Sequence, residues 1–122
     1  MKKILIVDDD RQIRSMLRRL LERHGYEVRE AENGLLGRET LETWPANLMI
    51  CDIMMPEEEG LGTIRRVTGR HPGLKIIAIS GGGLGRSGDY LELAGRLGAT
   101  RTLAKPLKIP SSPQPWRVPM HW

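Results

Sequence analysis

Residues 48–60 read LMICDIMMPEEEG. An apolar run from Leu48 to Cys51 stops at one aspartate, Asp52. A Met-Met-Pro turn and three glutamates follow before Gly60. A short apolar run bounded by a turn reads as a strand covered on both faces. A carboxylate closing such a strand needs compensation, because burying an unpaired charge is costly. The question for the rest of the chain is what could meet Asp52.

Strand-like runs alternate with helical patterns on both sides of this stretch. ILIV (4–7), YEVREA (26–31), NLMIC (47–51), LKIIAI (74–79) and ATRTLA (99–104) read as strands. RQIRSMLRRLLERHG (11–25), LLGRETLETW (35–44), LGTIRRVTGRH (61–71) and GDYLELAGRLG (88–98) read as helices. Asp10 is placed to cap the first helix and Gly25 to end it. Asn33-Gly34 reads as a turn, Pro45 as a stop after the second helix, and Pro72-Gly73 as a stop after the third. Strand-helix alternation predicts an α/β fold with a parallel sheet. The first, third and fourth strands are nearly all apolar, as doubly covered strands are. The second and fifth mix in charge and threonine, as edges do. The order that satisfies this is 2-1-3-4-5, a flavodoxin-like, doubly wound five-stranded sheet. Its ligands bind beyond the carboxyl ends of the strands, where the first and third are neighbours.

Composition narrows the function classes. The 122 residues suit one domain, and 39% hydrophobic content with no Phe leaves the core to aliphatic side chains and Met. One cysteine, Cys51, allows no internal disulfide and fits a reducing compartment. The apolar run after MKK is too short for a signal peptide or membrane span, so a cytoplasmic protein with no membrane partner is expected. Net charge is +4. Arg11, Arg14, Arg18, Arg19 and Arg23 fall mostly opposite the stripe of Ile13, Leu17, Leu20 and Leu21, which reads as a solvated helix face. With no fingerprint motif and 4% aromatic residues, nucleic-acid recognition has little support.

The predicted strand order brings chemistry to one rim. The first strand ends in Asp8, Asp9 and Asp10, the third in Asp52, the fourth in Ser80 and the fifth in Lys105-Pro106. Asp8, Asp9 and Asp52 should converge. Clustered carboxylates need a counter-charge. A hard divalent cation that keeps several waters, Mg2+, suits this donor set better than a calcium cage, and zinc lacks a His/Cys cluster. One carboxylate could then act as a nucleophile on phosphorus. Lys105 could pair with one phosphoryl oxygen and Ser80 could hydrogen-bond another. The Gly-rich SGGGLGRSG (80–88) lacks the Gly-Lys-Ser/Thr ending of a phosphate loop and reads as a mobile loop.

Four separated motifs, ILIVDDD (4–10), MICDIMMPEEEG (49–60), IIAISG (76–81) and GATRTLAKP (98–106), resemble the receiver domain of two-component response regulators. The resemblance covers roughly residues 2–107 and implies a role for each rim residue. Asp52 takes the phosphoacceptor position. Asp9 stands at a direct Mg2+ ligand and Asp8 at one acting through water. Met54 stands where a backbone carbonyl meets the metal. Lys105 stands at the phosphate-pairing lysine and Ser80 at the switch hydroxyl. The implied donor is a phosphohistidine on a sensor histidine kinase or phosphotransfer protein, or a small acyl phosphate. The implied role is a self-phosphorylating and self-dephosphorylating phosphoacceptor rather than a turnover enzyme. His24, His71 and His121 do not fit a phosphocarrier.

Two features depart from that pattern. Thr102 stands where the family often has an aromatic switch residue. After Lys105-Pro106 a fifth helix is expected, but the chain reads LKIPSSPQPWRVPMHW, whose prolines oppose a helix. The expected organisation is a receiver unit at 1–107 and an extended or disordered Pro-rich tail at 108–122, with the last helix missing. Its loss should uncover apolar surface on the side of the first helix, to be covered by the tail or a second copy in a homodimer. No DNA-binding domain is expected in this chain, so output would run through protein contacts. Two other readings stay open: a receiver-shaped interaction module that works without phosphorylation, and a haloacid-dehalogenase-like phosphatase using the Asp-x-Asp of Asp8–Asp10.

Overall fold

The computed structural model describes residues 2–53, 60–80, 95–96 and 98–104. Five parallel strands form one sheet: β1 (Lys3–Val7), β2 (Glu27–Ala31), β3 (Leu48–Asp52), β4 (Lys75–Ser80) and β5 (Arg101–Ala104), in the order β2-β1-β3-β4-β5. Three helices accompany them: α1 (Arg11–Arg23), α2 (Gly34–Thr43) and α3 (Gly60–Arg70). The expected order is therefore present, with both mixed-composition strands at the edges. The Gly-rich loop at 81–85, most of the helix expected at 88–98, and the segment from 105 to 122 lie outside the described residues. The expectations of an extended tail and of no fifth helix both fall on that segment.

Strand alternation sorts the core into two layers. Ile4, Ile6, Leu48, Ile50, Ile77 and Ile79 face one way and pack with Leu17 and Leu21 of α1. Leu5, Val7, Met49, Cys51, Ile76 and Ala78 face the other way and pack with Leu41 of α2 and Leu61, Ile64 and Val67 of α3. Burying each such aliphatic side chain contributes about 1.5–3 kcal/mol. On the α1 side Ile4, Ile6, Val28, Leu48, Ile50, Ile77 and Ile79 of the sheet are buried. The surface expected to be bared by a missing fifth helix, and the homodimer expected to cover it, depend on the segment from 105 onward, which lies outside the described residues. Ile13, Met16 and Leu20 of α1 add to this layer.

Local chemistry sets the element ends. The Asp10 side chain accepts from the Gln12 and Ile13 amides at 2.8 and 3.3 Å, and so caps α1. Gly25 follows the helix at φ +88°, a conformation that suits glycine. Asn33-Gly34 differs from the turn expected there. The Asn33 side chain accepts from the Leu36 amide at 2.8 Å and Gly34 is already helical, so the pair starts α2. The reason is that an asparagine in extended conformation can cap a helix as readily as it initiates a turn.

Trp44 carries no special signal in the sequence, yet it is a buried anchor just after α2. Its Nε1 donates to Glu27 Oε2 at 3.4 Å, and its ring lies 5.7 Å from Lys3 Nζ and 5.0 Å from the Arg29 guanidinium carbon. No helix among the described residues is long and apolar enough to cross a membrane.

Candidate functional site

The site forms where β1 and β3 leave the sheet. The two strands pair in parallel, with Val7 opposite Cys51. Each chain then continues one residue, to Asp8 and to Asp52. Asp8 is fully buried and Asp52 is 3% exposed, whereas Asp9 is exposed. One carboxylate oxygen from each of Asp8, Asp9 and Asp52 lies within 4.8 Å of the other two. Three carboxylates in so small a space repel one another, and two of them are shielded from water.

The backbone around this cluster is tied on several sides. The Asp8 amide donates to the Ala31 carbonyl at 3.1 Å, carrying the β1–β2 pairing one step further. Asp8 Oδ1 accepts from the Asp10 amide at 2.8 Å, which orients the carboxylate and shapes the turn into α1. On the other strand the Ile53 amide donates to the Ile79 carbonyl at 2.9 Å, so β4 holds the chain just beyond Asp52. Gly60 opens α3 against the same place. A Cβ built there would land on the Asp52 carbonyl oxygen and on Ile53 Cα, so only glycine lets the helix start this close.

Arg14 corrects the sequence reading. The helical pattern groups it with the solvated arginines of the first helix, but its side chain is only 13% exposed. Its Nη1 donates to the Asp8 carbonyl at 2.6 Å and its Nε to Glu30 Oε1 at 3.2 Å. Arg18, one turn later, donates to Glu30 Oε2 at 2.9 Å and to Glu22 Oε2 at 3.3 Å. The hydrogen bond to Glu30, set against partial burial, holds the Arg18 guanidinium above its ordinary value. The available signal is an i, i+4 arginine pair beside the apolar stripe, together with a glutamate on the neighbouring edge strand.

Of the six residues singled out from the sequence, the structure brings together Asp8, Asp9 and Asp52. Ser80 closes β4, one residue past Ile79, which pairs with Asp52. Its hydroxyl, Met54 and Lys105 lie outside what the structure describes. The donor set that is described fits a hard cation: three anionic oxygens, one side open to solvent, and no nitrogen or sulfur ligand in the group.

A family model described as the response regulator receiver domain matches residues 4–111. The chain belongs to that family. The response regulator receiver protein CpdR of Brucella abortus (strain 2308) is 42% identical to this receiver domain over 81 residues, which make up 66% of this chain and 68% of CpdR. In two longer relatives the aligned part is 16% and 34% of their length. Among solved structures, the CheY-like receiver domain protein of Methanospirillum hungatei JF-1 superposes with a TM-score of 0.80 at 32% identity, over 88% of this chain and 84% of that one. TrrA of Thermotoga maritima, solved in complex with Mg2+ and BeF, superposes with a TM-score of 0.76 at 30% identity, over 88% of this chain and 90% of that one.

Proposed function

We propose that this receiver domain is the phosphoacceptor of a two-component pathway, in which Asp52 receives a phosphoryl group from a phosphohistidine on a sensor kinase or phosphotransfer protein. The observation that carries the reading is the convergence of Asp8, Asp9 and Asp52 at the ends of two adjacent strands. An Asp52 carboxylate oxygen forms the new bond to phosphorus as the bond from phosphorus to the donor nitrogen breaks. The imidazole departs with that electron pair and takes up a proton. Receiver domains are signalling modules rather than turnover enzymes, and this one would carry its phosphoryl group as a signal read through protein contacts. The receiver unit would span residues 1–107, with 108–122 as a tail.

Asp9, Asp8 and Asp52, with the Met54 carbonyl, would hold Mg2+. When bound, the ion supplies positive charge against the carboxylates and the incoming phosphoryl oxygens. Lys105 would pair with a phosphoryl oxygen and Ser80 would hydrogen-bond another. The structure of TrrA with Mg2+ and BeF supports the same class of chemistry here.

Incubation with acetyl phosphate and Mg2+, followed by intact-mass measurement, tests the reading. Addition of one phosphoryl group that requires Mg2+ and is lost in Asp52→Asn is expected. No adduct on the wild-type chain, with Asp52→Asn behaving identically, would sink it. Phosphomonoester turnover that survives Asp52→Asn and dies with Asp8→Asn would instead mark a phosphatase built on the first strand.

A further inference from the structure

Phosphoryl transfer to Asp52 uses the acidic side chains and leaves unexplained the most tightly held arginine of α1. Arg14 donates through Nη1 to the carbonyl oxygen of Asp8 at 2.6 Å. That carbonyl belongs to the peptide joining Asp8 to Asp9. A peptide unit is planar and carries both flanking Cα atoms. Fixing its oxygen therefore restricts the direction in which each aspartate side chain leaves the backbone. The Asp8 amide is already held by the Ala31 carbonyl, and Asp8 Oδ1 by the Asp10 amide. Arg14 supplies the hold on the carbonyl side. It is braced through Nε by Glu30 Oε1 at 3.2 Å, and Glu30 is engaged in turn by Arg18 at 2.9 Å.

We propose that Arg14, braced by Glu30, is a positioning residue for the metal site: it sets the Asp8–Asp9 peptide so that the two carboxylates present their oxygens to one cation. This rests on the reading of Asp8, Asp9 and Asp52 as a Mg2+ site. The guanidinium acts in two opposed ways. Its hydrogen bond orders the ligand loop, which favours a cation. Its positive charge disfavours one. Lysine keeps the charge but lacks the fork that engages a carbonyl and a carboxylate together, so substitution separates the two effects.

Mg2+ titration calorimetry on the full 122-residue chain provides the test, at a temperature where circular dichroism shows each variant folded. Wild type, Arg14→Lys, Arg14→Met, Glu30→Gln and Val67→Ala are compared. Val67, on the buried face of α3, lies in the core and serves as a destabilised control. Both Arg14 variants are expected to bind Mg2+ about tenfold more weakly, the low end of what loss of a residue supporting a metal ligand costs. Glu30→Gln should weaken binding less, in the same direction, and Val67→Ala should leave it unchanged. Undiminished affinity in Arg14→Lys and Glu30→Gln overturns the proposal, even if Arg14→Met fails to fold. Tighter binding by Arg14→Met with Arg14→Lys unchanged also overturns it, since charge alone would then be acting. A wild-type chain that binds no Mg2+ overturns the site reading and the role of Arg14 together. Wild-type binding with insensitive variants overturns the role of Arg14 alone.

Discussion

Val7 and Cys51 face each other across the parallel β1–β3 ladder, so the residues after them, Asp8 just past β1 and Asp52 closing β3, come side by side. This register is what turns two distant aspartates into one site. A slip of one residue would send every side chain of the strand to the opposite face. Isoleucines and leucines packed on both sides of the sheet make such a slip costly.

The first prediction concerns charge at that site. Asp52→Asn removes one of three like charges held within 4.8 Å of one another. In the metal-free chain it is expected to raise unfolding stability by about 1 kcal/mol, a small part of the bare repulsion at that separation. Mg2+ at a hundred times its dissociation constant should stabilise wild type by about 2.7 kcal/mol and the variant by less. Urea unfolding in EDTA and in Mg2+ reads both effects. A variant less stable than wild type in EDTA would contradict the expected repulsion.

Two glycines of α3 should respond in opposite ways to the same substitution. Gly60→Ala places a methyl group on the Asp52 carbonyl and is expected to cost about 1–3 kcal/mol, the usual penalty of overpacking. At Gly69 an added Cβ meets nothing within 4 Å. Gly69→Ala should therefore stabilise by about 0.5–1 kcal/mol through helix propensity. Thermal or urea midpoints of the two variants decide the matter, and equal shifts would refute the close approach at Gly60.

Asp10 acts chiefly as a helix cap, although it comes directly after two site residues. Asp10→Ala should destabilise by about 0.5–2 kcal/mol, and Asp10→Ser should recover most of that, because serine also caps well. Phosphorylation of folded protein by acetyl phosphate should persist in Asp10→Ser. Loss of activity in that variant at unchanged stability would instead give Asp10 a place in the chemistry.

A pH effect is expected from the surface link between α2 and α3. The Arg70 guanidinium hydrogen-bonds the Glu42 carboxylate, with His71 Nε2 3.3 Å from the same group. The hydrogen bond from Arg70 is the main cause that holds Glu42 below its ordinary 4.5, with slight desolvation opposing it. A depressed carboxylate contributes stability that is present above its unfolded value and is lost as pH falls through its folded value. The wild-type advantage over Glu42→Gln should thus be fully present at pH 6 and decline as pH falls below the ordinary 4.5 and through the lowered folded value. It should be small and shrink in high salt, since the pair is exposed. Urea midpoints of the two proteins across that range check this.

Much of the architecture is legible because it rests on local signals. Apolar runs mark the strands, and charge in YEVREA and ATRTLA marks the edges that the sheet places at β2 and β5. Asp10 and Gly25 announce the ends of α1 by residue type alone. Asn33-Gly34 misleads because the same two residues serve a turn or a cap. Which one forms depends on whether the next residues pack as a helix against the sheet.

By itself the sequence determined the strand order and the meeting of Asp8, Asp9 and Asp52. Burial preference is written into composition, and a parallel sheet delivers all of its strand ends to one rim. Only the tertiary structure decided how that rim is held. Arg14 looks like its exposed neighbours in a helical projection, and Gly60 like any glycine after a loop. Contact with the Asp8 carbonyl and with the Asp52 backbone gives them their roles. Such contacts depend on how α1 and α3 sit against the sheet, a distance of a few ångströms set by packing across the whole core.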